Sequence, residues 1–415
     1  MAATVAGNAL EFYDFLTYST FAVYVGRTFF PTDSAFASLL LTLATFGVGF
    51  LTRPLGGILI GAYADRAGRR PALVLTLSLM TFGTLGLALT PGYARIGLLA
   101  PFILIVARLV QGLALGGEVG PSTALLLECA PDGRRCLYVS WQNASQGIAI
   151  CAAGVVGLAL SVVLPREQLA AWGWRLAFAL GLLIVPVGLY IRRRLPETLE
   201  APGSRGTAGV LGLLWNQHRR VLGLAVLIIM CLTVTAYLTT YMTTYALTAL
   251  GMPAPDAMLA TIATGVCMAA GALWGGHLSD RFGNMPVMIV PRIVLTIAAY
   301  PAFVLLVNVP TTGILVLVTA LLTVLGALSA AAATSTLVAA FPNGVRSCGI
   351  AISYAISVSV FGGTTQFIIA WLIGVTGDRL SPAYYLIATG LISLWAMFRL
   401  PHALRSRAPT LTAAV

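Results

Sequence analysis

Two copies of one motif decide the fold of this chain: Gly61-Ala62-Tyr63-Ala64-Asp65-Arg66-Ala67-Gly68-Arg69-Arg70 and Gly276-His277-Leu278-Ser279-Asp280-Arg281-Phe282-Gly283. Both read Gly-x-x-x-Asp-Arg-x-Gly. The first copy follows the second long apolar stretch of the chain, and the second copy follows the eighth. A repeat at equivalent places indicates that the two halves of the chain share one architecture.

The composition is that of a polytopic membrane protein. Of the 415 residues, 59% are hydrophobic and only 9% are charged, and the mean hydropathy is +0.93. A soluble surface needs about a quarter charged residues, so this chain cannot cover itself in water. The formal charge of +11 does not indicate a nucleic-acid partner, because the arginines cluster in short loops between apolar runs, where they orient a membrane protein.

Twelve apolar stretches are long enough to cross about 30 Å of hydrocarbon. They cover approximately 6–29, 36–63, 72–90, 98–127, 136–163, 174–192, 221–249, 257–278, 286–308, 312–340, 347–375 and 383–400. The predicted fold is all-α, with twelve transmembrane helices in two pseudosymmetric six-helix bundles. We expect an N-terminal bundle at 1–192, a cytoplasmic linker at 193–220, and a C-terminal bundle at 221–415 with a short cytoplasmic tail. Two such halves in one chain predict a monomer.

The distribution of arginine predicts the orientation in the membrane. If the N-terminus is inside, the cytoplasmic segments hold most of the arginines, including Arg66, Arg134 and the run at 192–194. The outer loops then hold only Arg27, Arg95, Arg166, Arg175 and Arg379. Basic residues favour the cytoplasmic side. We therefore expect a multi-pass inner-membrane protein with both termini in the cytoplasm.

Away from the ends of the predicted spans, the charged side chains inside them are few: Glu11, Asp14, Arg53, Arg108, Glu118 and Arg292. A charge in hydrocarbon costs at least about 2.5 kcal/mol, so each is a candidate for function. At about 1.5 Å per helical residue, spans one, two, four and five bring Asp14, Arg53, Arg108 and two amides to nearly one level. We expect Arg292 to snorkel from a peripheral helix toward the interface.

Further motifs make the chain resemble a known family. Arg108-x-x-Gln111-Gly112, Glu128 at the end of span four, Pro196-Glu197-Thr198 and the repeated loop resemble the major facilitator superfamily. Gly7-Asn8-x-x-Glu11-x-x-Asp14-Phe15, Arg53-Pro54-Leu55-Gly56 and Gly116-Gly117-Glu118 resemble its metabolite:proton symporters. Ser140-Trp141-Gln142-x-x-Ser145-Gln146, Phe361-Gly362-Gly363 and Thr376-Gly377-Asp378 look most like the citrate and tricarballylate proton symporters. The chain departs from the family pattern at Asn284-Met285, where two arginines are usual.

The resemblance implies a secondary transporter that moves an organic di- or tricarboxylate with protons by alternating access. Its partners would be a small organic anion, protons and the lipid bilayer, with no cofactor. Two alternatives stay open: symport of another small metabolite, such as a zwitterionic osmolyte or an aromatic acid, or a receptor that binds a metabolite without moving it. The sequence has no phosphate-binding Gly-rich loop with Lys, no His/Cys metal cluster and no nucleophile elbow. We therefore expect neither an enzyme nor a metal site.

The chemistry of the buried charges suggests their roles. Arg53 is the candidate carboxylate anchor, because a guanidinium is permanently charged and presents a planar fork. Asp14 is the candidate proton carrier, coupled to Arg108, although the two could also form a static interhelical pair. Glu11 and Glu118 are alternative proton sites or parts of an inner gate.

Neutral residues complete the candidate substrate site. Gln142, Ser145 and Gln146 share one face of span five and could line a pore or bond to neighbouring helices. Tyr237 on span seven and Ser353 and Ser357 on span eleven are further candidates for substrate contact.

The repeated loops suggest a conformational latch on the cytoplasmic side. An acid there can cap the N-terminus of a helix in the other half, and an arginine of the first loop can pair with Glu128. The predicted latch residues are Asp65, Arg66, Arg69, Arg70, Glu128, Asp280 and Arg281. Such a latch would favour the outward-open state.

Overall fold

The first half of the chain forms the six predicted spans. The computed structural model describes residues 2–67, 69–116, 126, 130–131, 133–193, 207–341 and 346–405. Span one consists of Ala2–Thr20 and Ala22–Phe29, span two of Ala35–Leu51 and Arg53–Ala67, and span three of Arg69–Leu89. In the described residues span four is Leu99–Gly116, span five is Arg135–Val163 and span six is Trp174–Arg193. The connections contain the short helices Tyr93–Ile96 and Arg166–Gln168 and the π-helical turn Leu169–Gly173.

The second half repeats this arrangement. Span seven is Thr207–Thr248, span eight Ala254–Phe282, span nine Asn284–Asn308 and span ten Thr312–Ala340. Span eleven consists of Arg346–Ser357, the π-helical turn Val358–Gly362 and Gly363–Thr376, and span twelve is Ser381–Arg405. Span seven begins inside the predicted linker, at residues 207–218, which lack proline and charged residues and contain three leucines. Residues 194–206 of that linker lie outside the described residues.

The helices have the length and composition of membrane spans. In the described part of the chain, nine helices are long and apolar enough to cross a membrane. Spans one, three and six are also helical, and the apolar stretch of span three, Val74–Leu89, is shorter. The chain is an all-α polytopic membrane protein with twelve membrane helices. Since twelve is even, the first and last described helices have their outer ends, Ala2 and Arg405, on one face, called here the terminal face. The other face is called the opposite face.

An interruption in span two positions Arg53. Thr52 lies between the two helices of this span, and its Oγ1 donates to the carbonyl oxygen of Leu109 on span four at 2.7 Å. Pro54 is the second residue of the helix Arg53–Ala67. Proline lacks an N–H and is tolerated in the first turn of a helix. A new helix therefore begins at Arg53, which is held against span four.

Two pairs of spans join the halves through small residues. Spans five and eight approach so closely that a Cβ on Gly265 would collide with the backbone nitrogen of Cys151. Spans two and eleven do the same, since a Cβ on Gly47 would lie 2.6 Å from the carbonyl oxygen of Gly363. Small residues allow this backbone contact between membrane helices. The candidate site lies beside these two seams.

Candidate functional site

The guanidinium of Arg53 lies at the boundary between the two halves. The side chain is 5% exposed, and its Cζ is 4.0 Å from the ring centroid of Phe50 and 4.8 Å from that of Phe15. Tyr237 and Tyr354, from spans seven and eleven, are close enough to interact electrostatically with it. Its Nε and Nη2 have no hydrogen-bond partner. Arg53 thus has two nitrogens, with three N–H donors between them, available in a buried setting.

Arg108 presents a second guanidinium of the same kind. It is fully buried on span four, and its Cζ lies 3.7 Å from the ring centroid of Tyr18 and 5.6 Å from that of Phe15. None of its three guanidinium nitrogens has a hydrogen-bond partner. Arg53 and Arg108 therefore share the Phe15 ring as a neighbour. Aromatic faces attract a cation without neutralising it, so both charges remain available to an anion.

Asp14 points into the N-terminal bundle. Its Oδ2 accepts a hydrogen bond of 3.0 Å from Thr84 Oγ1 on span three, and Gln111 Nε2 donates to the same hydroxyl at 3.0 Å. A Cβ on Gly181 of span six would collide with Oδ1, so only glycine leaves room for the carboxylate. The structure describes no ion pair between Asp14 and Arg108, whose nitrogens are without hydrogen bonds. In this conformation the carboxylate is held by a hydroxyl.

Glu11 lies on the same helix, nearer the terminal face. It is 1% exposed, and Thr76 Oγ1 of span three donates to its Oε1 at 3.4 Å. Both acids of span one thus face span three and receive a threonine hydroxyl. Glu118, the other predicted proton site, lies outside the described residues.

The polar face of span five bonds to span one. Asn8 Nδ2 donates to Ser145 Oγ at 2.6 Å, and Gln142 Nε2 donates back to Asn8 Oδ1 at 3.1 Å. In this conformation Gln142 and Ser145 therefore make the interhelical bonds that the sequence left open as an alternative to pore lining. Gln146 is half-buried. Asn8 is not among the predicted site residues; its place in the Gly7-Asn8-x-x-Glu11 motif was the available signal.

Gln366, in the polar and glycine-containing stretch of span eleven, connects three spans. It is fully buried on span eleven. Its Nε2 donates to Ser19 Oγ of span one at 2.7 Å and to Thr240 Oγ1 of span seven at 3.2 Å. Its Oε1 has no hydrogen-bond partner. Ser19 and Gln366 belong to different halves, so this bond joins the bundles directly beside Tyr237.

The two serines predicted on span eleven donate to backbone carbonyls. Ser353 Oγ donates to Gly349 O at 2.7 Å, and Ser357 Oγ donates to Val226 O at 2.9 Å and to Ser353 O at 2.8 Å. Within the π-helical turn that follows, Ser359 Oγ donates to Phe50 O across the bundle boundary at 2.9 Å. The irregular turn at Val358–Gly362 therefore turns a hydroxyl toward the site that contains Arg53.

The prediction that Arg292 snorkels is wrong. Its side chain is fully buried, and Nη1 donates to Cys231 Sγ at 3.2 Å and to Thr235 Oγ1 at 2.9 Å. The physical reason is that the long side chain points into the bundle and reaches span seven, where a hydroxyl and a thiol provide acceptors. Arg292 therefore lies inside the C-terminal bundle.

Comparison with known proteins identifies the family. The profile of the Major Facilitator Superfamily matches residues 5–366. This chain belongs to the Major Facilitator Superfamily. The citrate-proton symporter of Klebsiella pneumoniae is 37% identical over 394 residues, covering 94% of this chain and 89% of that relative. The citrate-proton symporter of Salmonella typhi is 36% identical over 397 residues, covering 94% and 91%. The family resemblance predicted from the motifs is confirmed.

Other similar proteins carry different solutes or share only the fold. The glycine betaine/proline/ectoine/pipecolic acid transporter OusA of Dickeya dadantii is 34% identical over 409 residues, covering 95% of this chain and 81% of that relative. A crystal structure of a D-xylose-proton symporter superimposes with a TM-score of 0.75 at 20% identity, covering 96% of each chain. That likeness concerns the fold, and it agrees with the twelve-helix architecture of this superfamily member.

In this superfamily member the second repeated loop touches the other half. Asp280, at the end of span eight, accepts hydrogen bonds from the backbone N–H groups of Cys136 at 2.9 Å and Leu137 at 3.0 Å. Its carboxylate therefore caps the N-terminus of span five. Arg281 lies over the ring of Phe282 at 5.2 Å from its centroid. Glu128 and the side chains of Asp65, Arg66, Arg69 and Arg70 lie outside the described part of the structure.

Proposed function

We propose that this protein is a proton-coupled symporter of an organic di- or tricarboxylate of the citrate class. The observation that carries the proposal is the pair of buried guanidiniums of Arg53 and Arg108, which have free N–H groups and aromatic neighbours. The full-length similarity to two citrate-proton symporters supports it.

A polycarboxylate is the ligand that this pair of charges requires. A buried charge without a counter-ion is costly, and an anion with two or more carboxylates would compensate both arginines. Each guanidinium can hold a carboxylate through two parallel N–H···O bonds. The rings of Phe15, Phe50 and Tyr18 hold the two guanidinium groups in position before substrate binds.

Asp14 is the proposed proton-coupling acid. Its carboxylate is held by the Thr84 hydroxyl, so it can take up a proton without first breaking an ion pair. Arg108 is its nearby positive charge. When a substrate carboxylate engages Arg108, the field that favours an ionised Asp14 weakens, so substrate binding and proton binding support one another. This reciprocity is what symport needs.

Transport would proceed by rocking of the two bundles around this midplane site. The protein would lie in the inner membrane as a monomer, with both termini in the cytoplasm, and would need no cofactor and catalyse no chemical reaction. Asp280 and the other repeated-loop residues would serve as the latch on the terminal face. The alternative is a receptor that binds its ligand without moving it. A measurement of net flux across the membrane distinguishes the two.

A zwitterionic osmolyte is the second candidate substrate. The similarity to OusA and to proline/betaine transporters favours it. Recognition of a quaternary ammonium uses open aromatic faces. Here the faces of Phe50 and Tyr18 are already covered by guanidiniums, which favours an anionic substrate.

The decisive experiment is uptake of labelled citrate into proteoliposomes with an imposed pH gradient. We expect accumulation above equilibrium, competition by unlabelled tricarboxylates, and no competition by proline or betaine. Uptake of labelled betaine that citrate does not inhibit would replace the proposed substrate. Binding of citrate with no net flux would indicate a receptor.

A further inference from the structure

A cleft opens between the two halves on the opposite face. Its volume is about 490 Å³, within the range of small-molecule sites. The ends of spans one, two, seven, eight and eleven and the connection between spans five and six form its walls. Tyr24, Phe36, Tyr241, Thr248 and Gly374 are among the lining residues. The proposed central site does not include any of them.

The cleft is positively charged. Arg27 and Arg166 line it, and no acidic residue is among the lining residues that the structure describes. Both guanidiniums are close enough to Tyr24 to interact with its hydroxyl electrostatically. The helices Ala35–Leu51 and Ala254–Phe282 begin at residues that line the cleft. The N-terminus of Ala35–Leu51 thus adds its positive dipole end to the two arginines, whereas Asp256 in the first turn of Ala254–Phe282 offsets the other.

These two arginines differ from the neighbouring Arg175, which is held by the fold. Arg175 Nη2 donates to Thr90 O at 3.0 Å, and its Cζ lies 4.4 Å from the Trp174 ring. Among the described residues, neither Arg27 nor Arg166 has a hydrogen bond or an ion pair, and both are exposed. Their charge is therefore free to act on a solute in the cleft.

The floor of the cleft leads toward the central site. Val23, Tyr241 and Ala370 line the cleft. These three residues follow Ser19, Tyr237 and Gln366, in that order, by four positions. Four positions are about one helical turn. The hydrogen bond between Gln366 and Ser19 thus separates the cleft from the layer that contains Arg53. An anion in the cleft would wait one turn away from that layer.

We propose that this cleft is a second, outer binding site for polycarboxylate anions, which captures substrate before the bundles open to the central site. This inference rests on the proposed function and on the predicted orientation with the opposite face outward. A cleft lined by one sign of charge raises the local concentration of the opposite ion and its rate of association, and the effect falls with ionic strength.

The test is the concentration dependence of citrate uptake by the double variant Arg27→Gln/Arg166→Gln. We expect its KM to rise about fivefold or more at low ionic strength, with maximal rate unchanged, because capture weakens while translocation is intact. The difference should shrink at high salt. The control is Arg95→Gln, which removes an exposed arginine from the same face but outside the cleft; its KM should match that of the parent protein.

The lipid composition of the liposomes shows whether the two arginines hold a lipid headgroup instead of a soluble anion. The KM of the double variant is compared with that of the parent in phosphatidylcholine alone and with added phosphatidylglycerol. A raised KM in both lipids is expected, and an effect seen only with the anionic lipid would overturn the proposal. Parent protein that takes up citrate normally, alongside a double variant with unchanged KM, would overturn the cleft site alone. Parent protein that takes up no citrate would overturn the proposed function itself.

Discussion

Arg53 and Arg292 show how neighbours decide what a buried arginine does. Arg292 donates to a hydroxyl and a thiol inside one bundle. Arg53 instead lies over two aromatic rings at the boundary between the bundles, with Nε and Nη2 unbonded. Nε and Nη2 are unbonded in both arginines, but those of Arg292 lie inside one bundle, whereas those of Arg53 are available where the two halves meet.

Arg53→Ala should therefore weaken citrate binding by at least about tenfold, since a charge-assisted hydrogen bond contributes about 1.5–3 kcal/mol. Arg53→Lys should recover only part of the affinity, because an ammonium keeps the charge and loses the fork. Calorimetric titration of purified protein measures both. Arg292→Gln is the matched control and should bind citrate as the parent does. Equal affinity in Arg53→Ala would remove Arg53 from the site.

Asp14→Asn should separate coupled uptake from exchange. The amide can still accept the Thr84 hydrogen bond but cannot exchange a proton. A pH gradient should no longer drive citrate above equilibrium, while exchange of internal for external citrate continues in the same liposomes. Glu11→Gln serves for comparison and should keep uphill uptake. If Asp14→Asn still accumulates citrate, the proton role moves to Glu11, Glu118 or the substrate itself.

At the scale of helices, the junction of spans eight and five carries the clearest link between the halves on the terminal face. The carboxylate of Asp280 receives the N–H groups of Cys136 and Leu137. The first N–H groups of a helix have no partner within it, and an acid there also complements the helix dipole. Opening on this face would have to break these bonds.

Asp280→Ala should shift the balance toward the state open on the terminal face by about fivefold, because a lost cap costs about 1 kcal/mol. Cysteine labelling from each side of the membrane reports this balance. Asp256→Ala, at the first turn of the same helix, should leave it unchanged. A large loss of citrate affinity in Asp280→Ala without any change in labelling would contradict a latch.

At the scale of the whole molecule, small residues bring the two halves into contact between spans five and eight and between spans two and eleven. Spans two and eleven meet at Gly47 and Gly363, and near the opposite face a Cβ on Gly374 would collide with the ring of Phe36. Alternating access by rocking requires that such contacts separate in one of the two states.

Phe36→Cys/Gly374→Cys, in a variant without the native cysteines, should cross-link under oxidation and stop citrate uptake. Reduction should restore it, because the covalent bond holds the bundles together on the opposite face. Each single variant under the same oxidation is the control and should remain active. A cross-linked protein that transports at the parent rate would argue against rocking at this seam.

The sequence alone was sufficient to predict the family, the twelve spans and the candidate charges. Apolar length and the repeated Gly-x-x-x-Asp-Arg-x-Gly loop are local properties, and the cost of charge in hydrocarbon depends little on the details of packing. The sequence could not predict the helical start of span seven at Thr207, because residues 207–218 adjoin a polar linker and include two glycines, which disfavour a helix.

Only the tertiary structure decided which side chains meet. The sequence suggested a pair between Asp14 and Arg108. In the folded chain Asp14 accepts a hydrogen bond from Thr84, and Arg108 packs against the ring of Tyr18. It also joined Gln366 to Ser19, which lie 347 positions apart. Helical periodicity gives the face on which a residue lies; which helix covers that face depends on how the bundles pack, and that packing is a property of the whole chain.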